Sequence, residues 1–223
     1  GATTFFFDKE ESKHIVKVLR KKESDIIFIT NGLGFLFESE IILASEKKCE
    51  VKITKETFQE PDKFYTHIAV APTKMNDRLE WFVEKATEIG IHEITPIICD
   101  HSERKVYKID RAEKIIQAAM KQSLHYYIPK INEPISFAQF VKSNLDGQKF
   151  IAHCEETDKK SFKNEVKKDE KITILIGPEG DFSTKEINLA IENHFIPVTL
   201  GNTRLRTETA ALVACHTIAL INE

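Results

Sequence analysis

The sequence predicts an α/β protein in two parts: a smaller β-rich unit over residues 1–60 and a larger, mostly parallel α/β unit over residues 61–223. Three observations carry this. The first 60 residues contain short strand-like runs on either side of Asn31-Gly32, a strong hairpin signal. Beyond the polar break at QEPDK, residues 59–63, apolar strand-like runs alternate with segments of helical period, the pattern of a parallel sheet covered by helices. With 223 residues, 41% hydrophobic and 30% charged, the chain is long enough for two cores and unlike a collagenous or disordered one.

Taken in order, ESKHIVKVLR reads as a capped helix. Lys13, Lys17, Arg20 and Lys21 then fall at i, i+4, i+7 and i+8 on one face, with Ile15, Val18 and Leu19 on another. Such a basic stripe suits phosphate contacts; a solvated charged face is the alternative. DIIFIT, LFESEIIL and EVKIT supply the strands of the first unit.

In the second unit the expected succession is strand YTHIAVAP, helix NDRLEWFVEKATEIG, strand EITPIIC, helices RAEKIIQAAMKQSL and FAQFVKSNL, and strand KFIAHC. Strand KITILIG, helix TKEINLAIEN, strand IPVTLG and helix ETAALVACHTIALIN complete it. Leu79, Phe82, Val83, Ala86 and Ile89 share the core face of the first of these helices, and Lys85 can pair with Glu88. The charge-mixed stretch 155–171 is expected to be an exposed loop or a short surface helix.

Several function classes are disfavoured. No uncharged apolar run approaches the roughly 20 residues of a membrane helix, and the start GATTFFFDKE lacks the regions of a signal peptide. Cys49, Cys99, Cys154 and Cys215 form no CxxC and have no paired His nearby, so neither a zinc site nor a redox motif is expected. They read as reduced thiols of a cytoplasmic protein. The net charge of −3 gives no reason by itself to expect a nucleic-acid partner. The charge is nonetheless segregated: residues 101–130 hold seven Lys plus Arg against three Asp plus Glu, among them Arg104 and Lys105.

The chemistry concentrates in two loops. KITILIG, apolar on both faces like a central parallel strand, ends in Gly177-Pro178-Glu179-Gly180, and Ser183 with Glu186 forms a capping-box signature for the next helix. The strand IPVTLG is likewise followed by Gly201-Asn202-Thr203-Arg204-Leu205-Arg206 and a helix that Thr207 could cap. Glycine turns permit close approach of a ligand, and helix N-termini present free N–H groups. Two such loops at strand carboxyl ends mark the usual ligand crevice of an α/β sheet. Neither is a phosphate-cradling GxxxxGK[ST], and GxGxxG is missing, which disfavours NTP and NAD.

IGPEGDFS at 176–183 with LGNTRLRTETAAL at 200–212 resembles the cofactor-binding signatures of the SPOUT class, in the form of the ribosomal RNA small subunit methyltransferase E (RsmE) family. HIVKVLR at 14–20 and PTKMNDRLEWFVEKATEIGIHEITPIICDHSERK at 72–105 agree, so the resemblance spans nearly the whole chain. It implies a PUA-like β-barrel, an α/β domain with a trefoil knot, a homodimer and S-adenosylmethionine as cofactor. The implied reaction is methylation of N3 of one uridine, position 1498, of 16S rRNA in the small ribosomal subunit. Because members of the family begin with a further aromatic-containing strand, it also implies that this N-terminus is short.

Carried over residue by residue, the resemblance places Ile176, Gly177, Glu179, Gly180, Leu200, Gly201, Leu205 and Arg206 at the cofactor. Glu179 could instead only fix its loop. Neutral uridine carries a proton on N3 that must leave, so Glu208 could accept it and Arg206 could stabilise charge on the uracil oxygens. Alternatively the two form an ion pair that holds the knot. Lys13, Lys17, Arg20, Lys21, Arg104 and Lys105 are the candidate RNA contacts, and His153 could line the cofactor pocket. Asp181, Thr203 and Leu124-His125 depart from the family pattern. A noncatalytic RNA-binding protein, or a methyltransferase with another acceptor atom, are the competing readings.

Overall fold

FLFESEIIL carries the aromatic and β-branched residues that favour a strand, and this segment pairs on both sides within an antiparallel sheet. The computed structural model describes residues 3–156 and 158–223. Gly1 and Ala2 of the GATTFFF start, and Thr157 of the polar 155–171 stretch, lie outside them. One compact unit ends at Pro61 and a second begins at Asp62.

The first unit contains β1 (Thr4–Phe6), α1 (Lys9–Lys13), β2 (Ile26–Thr30), β3 (Phe35–Leu43) and β4 (Glu50–Phe58), with the strands in the antiparallel order β1-β4-β3-β2. Ile15, Ile41, Cys49 and Val51 form its core. Asp8 caps α1 by accepting from the Glu11 N–H at 2.8 Å. The buried Ser12 hydroxyl accepts from Cys49 N–H at 2.8 Å, tying α1 to the sheet.

The expected helix over 11–20 is corrected here. After Lys13 the chain takes a π-helical turn, His14–Val18, and leaves the helix at Leu19; Arg20 has φ +54°. The wider turn breaks the 3.6 period, so Arg20 and Lys21 do not continue a stripe with Lys13 and Lys17. Of the expected apolar face only Ile15 is buried, while Val18 and Leu19 are exposed. Lys17 pairs with Glu46 at 3.0 Å.

The second unit runs β5 (Tyr65–Val70), α2 (Asn76–Ile89), β6 (Glu93–Ile98), α3 (Ile109–Ser123), β7 (Lys130–Ile131), β8 (Ile135–Ser136), α4 (Phe137–Val141) and β9 (Gln148–Ala152). It continues with β10 (Lys160–Ser161), α5 (Phe162–Glu165), β11 (Lys171–Ile176), α6 (Thr184–Glu192), β12 (Ile196–Thr199) and α7 (Thr207–Asn222). All its strand pairs are parallel, in the order β10-β12-β9-β11-β5-β6-β7, with β8 beside β6.

β11 is central, and its alternation divides the two cores. Ile172, Ile174 and Ile176 join the cluster packed with α2, α3, α5 and α7, whereas Leu175 joins that under α4 and α6. The expected surface character of 155–171 holds only in part. Phe162 is 1% exposed and meets Phe150 edge-on at 5.2 Å, so α5 is pinned to the core.

Candidate active site

Three parallel strands, β9, β11 and β12, deliver their carboxyl ends side by side. The loops that follow them and the start of α7 enclose a cavity of about 330 Å³. Its wall includes Ala152 and Cys154 after β9, Ile176 to Glu179 and Asp181 after β11, and Arg204 to Thr207 with Ala210 before and within α7. Ile176, Leu205 and the two alanines supply apolar lining, and Glu179, Asp181, Arg204 and Arg206 are the charged residues of the wall.

The loops are tied to one another by side chains meeting backbone. Thr207 does not cap α7, whose N-cap is Arg206; it is the first helical residue, and its buried hydroxyl donates to the Gly177 carbonyl at 3.0 Å. Glu179 accepts from the Lys74 N–H at 2.9 Å, fastening the loop after β11 to the one after β5. Arg104 donates to the carbonyls of Thr73 and Lys74, so this expected RNA contact is engaged in holding the same loop; Lys105 is exposed. The capping box of Ser183 and Glu186 is present, and Glu186 also accepts from Asp100 N–H at 2.9 Å.

Two points of the first loop leave little room beyond glycine. A Cβ at Gly177 would stand 3.1 Å from the Phe182 ring, and one at Gly180 would stand 3.1 Å from the His101 Cβ. Asp181 has φ +61°, a conformation natural to glycine, and compensates with two hydrogen bonds. Its carboxylate accepts from Cys154 N–H at 2.7 Å and from Phe182 N–H at 2.9 Å.

Of the eight residues expected at the cofactor, Ile176, Gly177, Glu179, Leu205 and Arg206 line the cavity. Gly180 lies against His101 instead, Leu200 packs on the core, and Gly201 is exposed with no atom near its Cβ position. Arg206 is exposed on the wall, and its guanidinium has no ion-pair partner among the described residues. Glu208 differs from expectation. It is buried, is not part of the wall, and turns its Oε1 to Arg78 Nε at 3.8 Å rather than to Arg206, while Oε2 is sealed from solvent without a hydrogen-bond partner. Helical geometry explains this: two positions after the N-cap, the side chain of Glu208 faces α2 while that of Arg206 is still in the loop.

His153 is also buried and both its ring nitrogens lack hydrogen-bond partners, but unlike its neighbours Ala152 and Cys154 it is not among the residues that line the cavity. Burial and the Lys159 charge hold its pKa below the usual value. Arg78, Lys74, His101 and Cys154 were not picked out as site residues by sequence reasoning. Their part depends on contacts across tens of residues that no local motif records.

The comparisons with known proteins bear on this arrangement. A model described as the RNA methyltransferase domain matches residues 60–219, and one described as the RNA methyltransferase PUA domain matches residues 7–54. The ribosomal RNA small subunit methyltransferase E of Buchnera aphidicola is 34% identical, covering 94% of this chain and 85% of the relative. That of Bacillus subtilis is 31% identical over 100% of this chain and 92% of its own.

The chain belongs to the ribosomal RNA small subunit methyltransferase E family.

Solved relatives agree. A probable rRNA-methyltransferase of Porphyromonas gingivalis superposes with a TM-score of 0.91 at 38% identity, covering 97% of this chain and 93% of that one. A Legionella pneumophila methyltransferase, solved in complex with the bound cofactor SAM, gives 0.89 at 28% identity, with coverages of 98% and 92%. As a member of the methyltransferase E family the protein is an RNA methyltransferase with an N-terminal antiparallel β domain of PUA type and a C-terminal parallel α/β domain. The Leu124-His125 departure of this methyltransferase is accommodated within the fold. Leu124 takes φ +59° to end α3, and a His125 ring nitrogen lies 3.0 Å from the Glu88 carbonyl near the end of α2.

Proposed function

We propose that this chain binds S-adenosylmethionine in the cavity after β9, β11 and β12 and methylates N3 of the uridine at position 1498 of 16S rRNA in the small ribosomal subunit. The observation that carries the proposal is the cavity itself, built from the GPEG and RLRT loops and cross-tied through Thr207 and Gly177. Its volume falls within the range of about 300–1,000 Å³ usual for small-ligand sites. The residues fit the cofactor: Ile176 and Leu205 offer apolar faces for an adenine, and Glu179, Asp181, Arg204 and Arg206 stand among the polar residues of the wall.

Held there, S-adenosylmethionine would supply a methyl group on a sulfonium; uridine N3 would gain the methyl and give up its proton, and the sulfonium would be left as a neutral thioether. Arg206, exposed on the wall and unpaired, stabilises the negative charge that spreads onto the uracil oxygens. The same charge makes the N3 proton easier to lose to water. Glu208, with its free oxygen sealed and its other oxygen toward Arg78, is assigned to holding the rim and not to taking the proton. Positioning supplies much of the remaining acceleration.

The proposal extends to the trefoil knot formed by the chain around these loops, to a cytoplasmic homodimer, and to the first 60 residues as the part that places RNA, with Lys13, Lys17, Arg20 and Lys21 as its phosphate contacts and Lys105 of the second unit as a further one. Mass spectrometry of small-subunit rRNA from a deletion strain, with and without the gene restored, tests it. N3-methyluridine should vanish and return; an unchanged level overturns the acceptor assignment. Failure of the full-length protein to bind S-adenosylhomocysteine would favour a noncatalytic RNA-binding protein.

A further inference from the structure

Arg78 stands in the first turn of α2, where the helix dipole opposes a cation. Glu208, in the first turn of α7, is by contrast at home with its dipole. Arginine–carboxylate bridges are frequently bidentate, the guanidinium fork meeting both carboxylate oxygens. Here Nε stands 3.8 Å from Oε1, beyond hydrogen-bond reach, and Oε2 is left buried without a hydrogen-bond partner. An orphaned buried oxygen is costly and is seldom retained for packing alone. The Arg78 side chain is 38% exposed, and its two terminal nitrogens have no protein acceptor among the described residues. Its anchor follows directly on Thr207 and Arg206 of the cavity wall.

We propose that Arg78, oriented by the buried Glu208, binds a phosphate of the acceptor RNA beside the methylated nucleotide, as a second cation alongside Arg206. The proposal rests on the RNA-methylating reading given above. Arg206 meets the developing charge on the base; Arg78 grips the backbone, and its fork suits the planar, two-oxygen face of a phosphate. Glu208 is then a positioning residue acting through Arg78.

The test uses the full-length protein and small subunits lacking the methyl group. Arg78→Ala should raise KM about tenfold while kcat stays within about threefold, and Arg78→Lys should recover only part of the loss. In a plot of log affinity against log salt, measured with S-adenosylhomocysteine present, the Arg78→Ala slope should be shallower by about one, the signature of one lost phosphate contact. Glu208→Gln should raise KM in the same direction, and the double variant should be little worse than Arg78→Ala alone. An unchanged KM and salt slope in Arg78→Ala would overturn the inference, as would a collapse of kcat in Glu208→Gln at unchanged KM, which would make Glu208 the proton acceptor. Loss of S-adenosylhomocysteine binding by the unaltered protein would instead sink the underlying methyl-transfer reading.

Discussion

The Thr207 hydroxyl donates to the Gly177 carbonyl at 3.0 Å across 30 residues, joining the first turn of α7 to the end of β11. Both groups are buried, so neither can turn to water for compensation. Thr207→Val keeps the shape and removes the donor. It should cost about 1–2 kcal/mol in denaturant unfolding and weaken S-adenosylhomocysteine binding, while Thr207→Ser should retain most of both. Equal behaviour of the Val and Ser variants would show that the bond does not shape the cavity.

Arg206 and Glu208 should separate kinetically. Arg206→Ala should lower kcat about 10²–10³-fold, the scale of a lost charge-stabilising donor, with S-adenosylhomocysteine affinity changed little. Single-turnover methylation of unmethylated subunits measures this directly. A kcat near that of the unaltered protein would remove Arg206 from the chemistry.

The four cysteines should differ sharply in reactivity. Cys49, Cys99 and Cys215 are buried, and burial raises all three thiols, that of Cys215 to about 12. Cys154 alone is exposed, on the cavity wall. Under native conditions a maleimide should therefore modify Cys154 first, and S-adenosylhomocysteine should slow the reaction. Mass spectrometry of the labelled peptides decides; labelling of Cys99 at a comparable rate, or no protection at Cys154, would contradict the placement of the cavity.

His67 gives stability a pH dependence. It is 6% exposed, its ring nitrogen lies 2.8 Å from the Thr95 hydroxyl, and burial lowers its pKa to about 4, against an opposing pull from Glu93. The unfolded chain, with a histidine near 6.5, binds the proton first as pH falls. Stability from this group is thus fully present above about pH 6.5 and is lost as pH drops toward 4, by up to about 3 kcal/mol. His67→Gln should flatten the stability profile across that window in urea unfolding series. An unchanged slope would mean that His67 is not protonation-linked to folding.

Much of the larger unit was legible in the sequence because its signals are local. The apolar run KITILI needs burial on both faces and becomes the central strand; Ser183 and Glu186, three positions apart, form the capping box by themselves. The helix through Lys13 to Lys21 misled because a π turn leaves no mark in apolar spacing, and one extra residue per turn is enough to scatter a stripe. The site was half legible. Its glycine loops are contiguous motifs, but Arg78 and Lys74 enter through partners 130 and 105 residues away, Glu208 and Glu179, and a sequence does not print such distances. Asp181 was visible as a departure without its explanation, which lies in the Cys154 N–H it holds.

Three cross-ties of the site each join separate loops: Glu179 to Lys74, Asp181 to Cys154, and Thr207 to Gly177. A cavity assembled this way has no fragment that could bind weakly on its own, since its walls come into being together with the sheet that carries them. Occupancy is therefore a report on completed folding. A ligand that recognises only this assembled state adds RT ln(1 + [L]/Kd) to its stability, about 2.7 kcal/mol at a hundredfold excess over Kd. In a cell rich in such a ligand, the last loops to close would be sealed by the molecule they were shaped to receive.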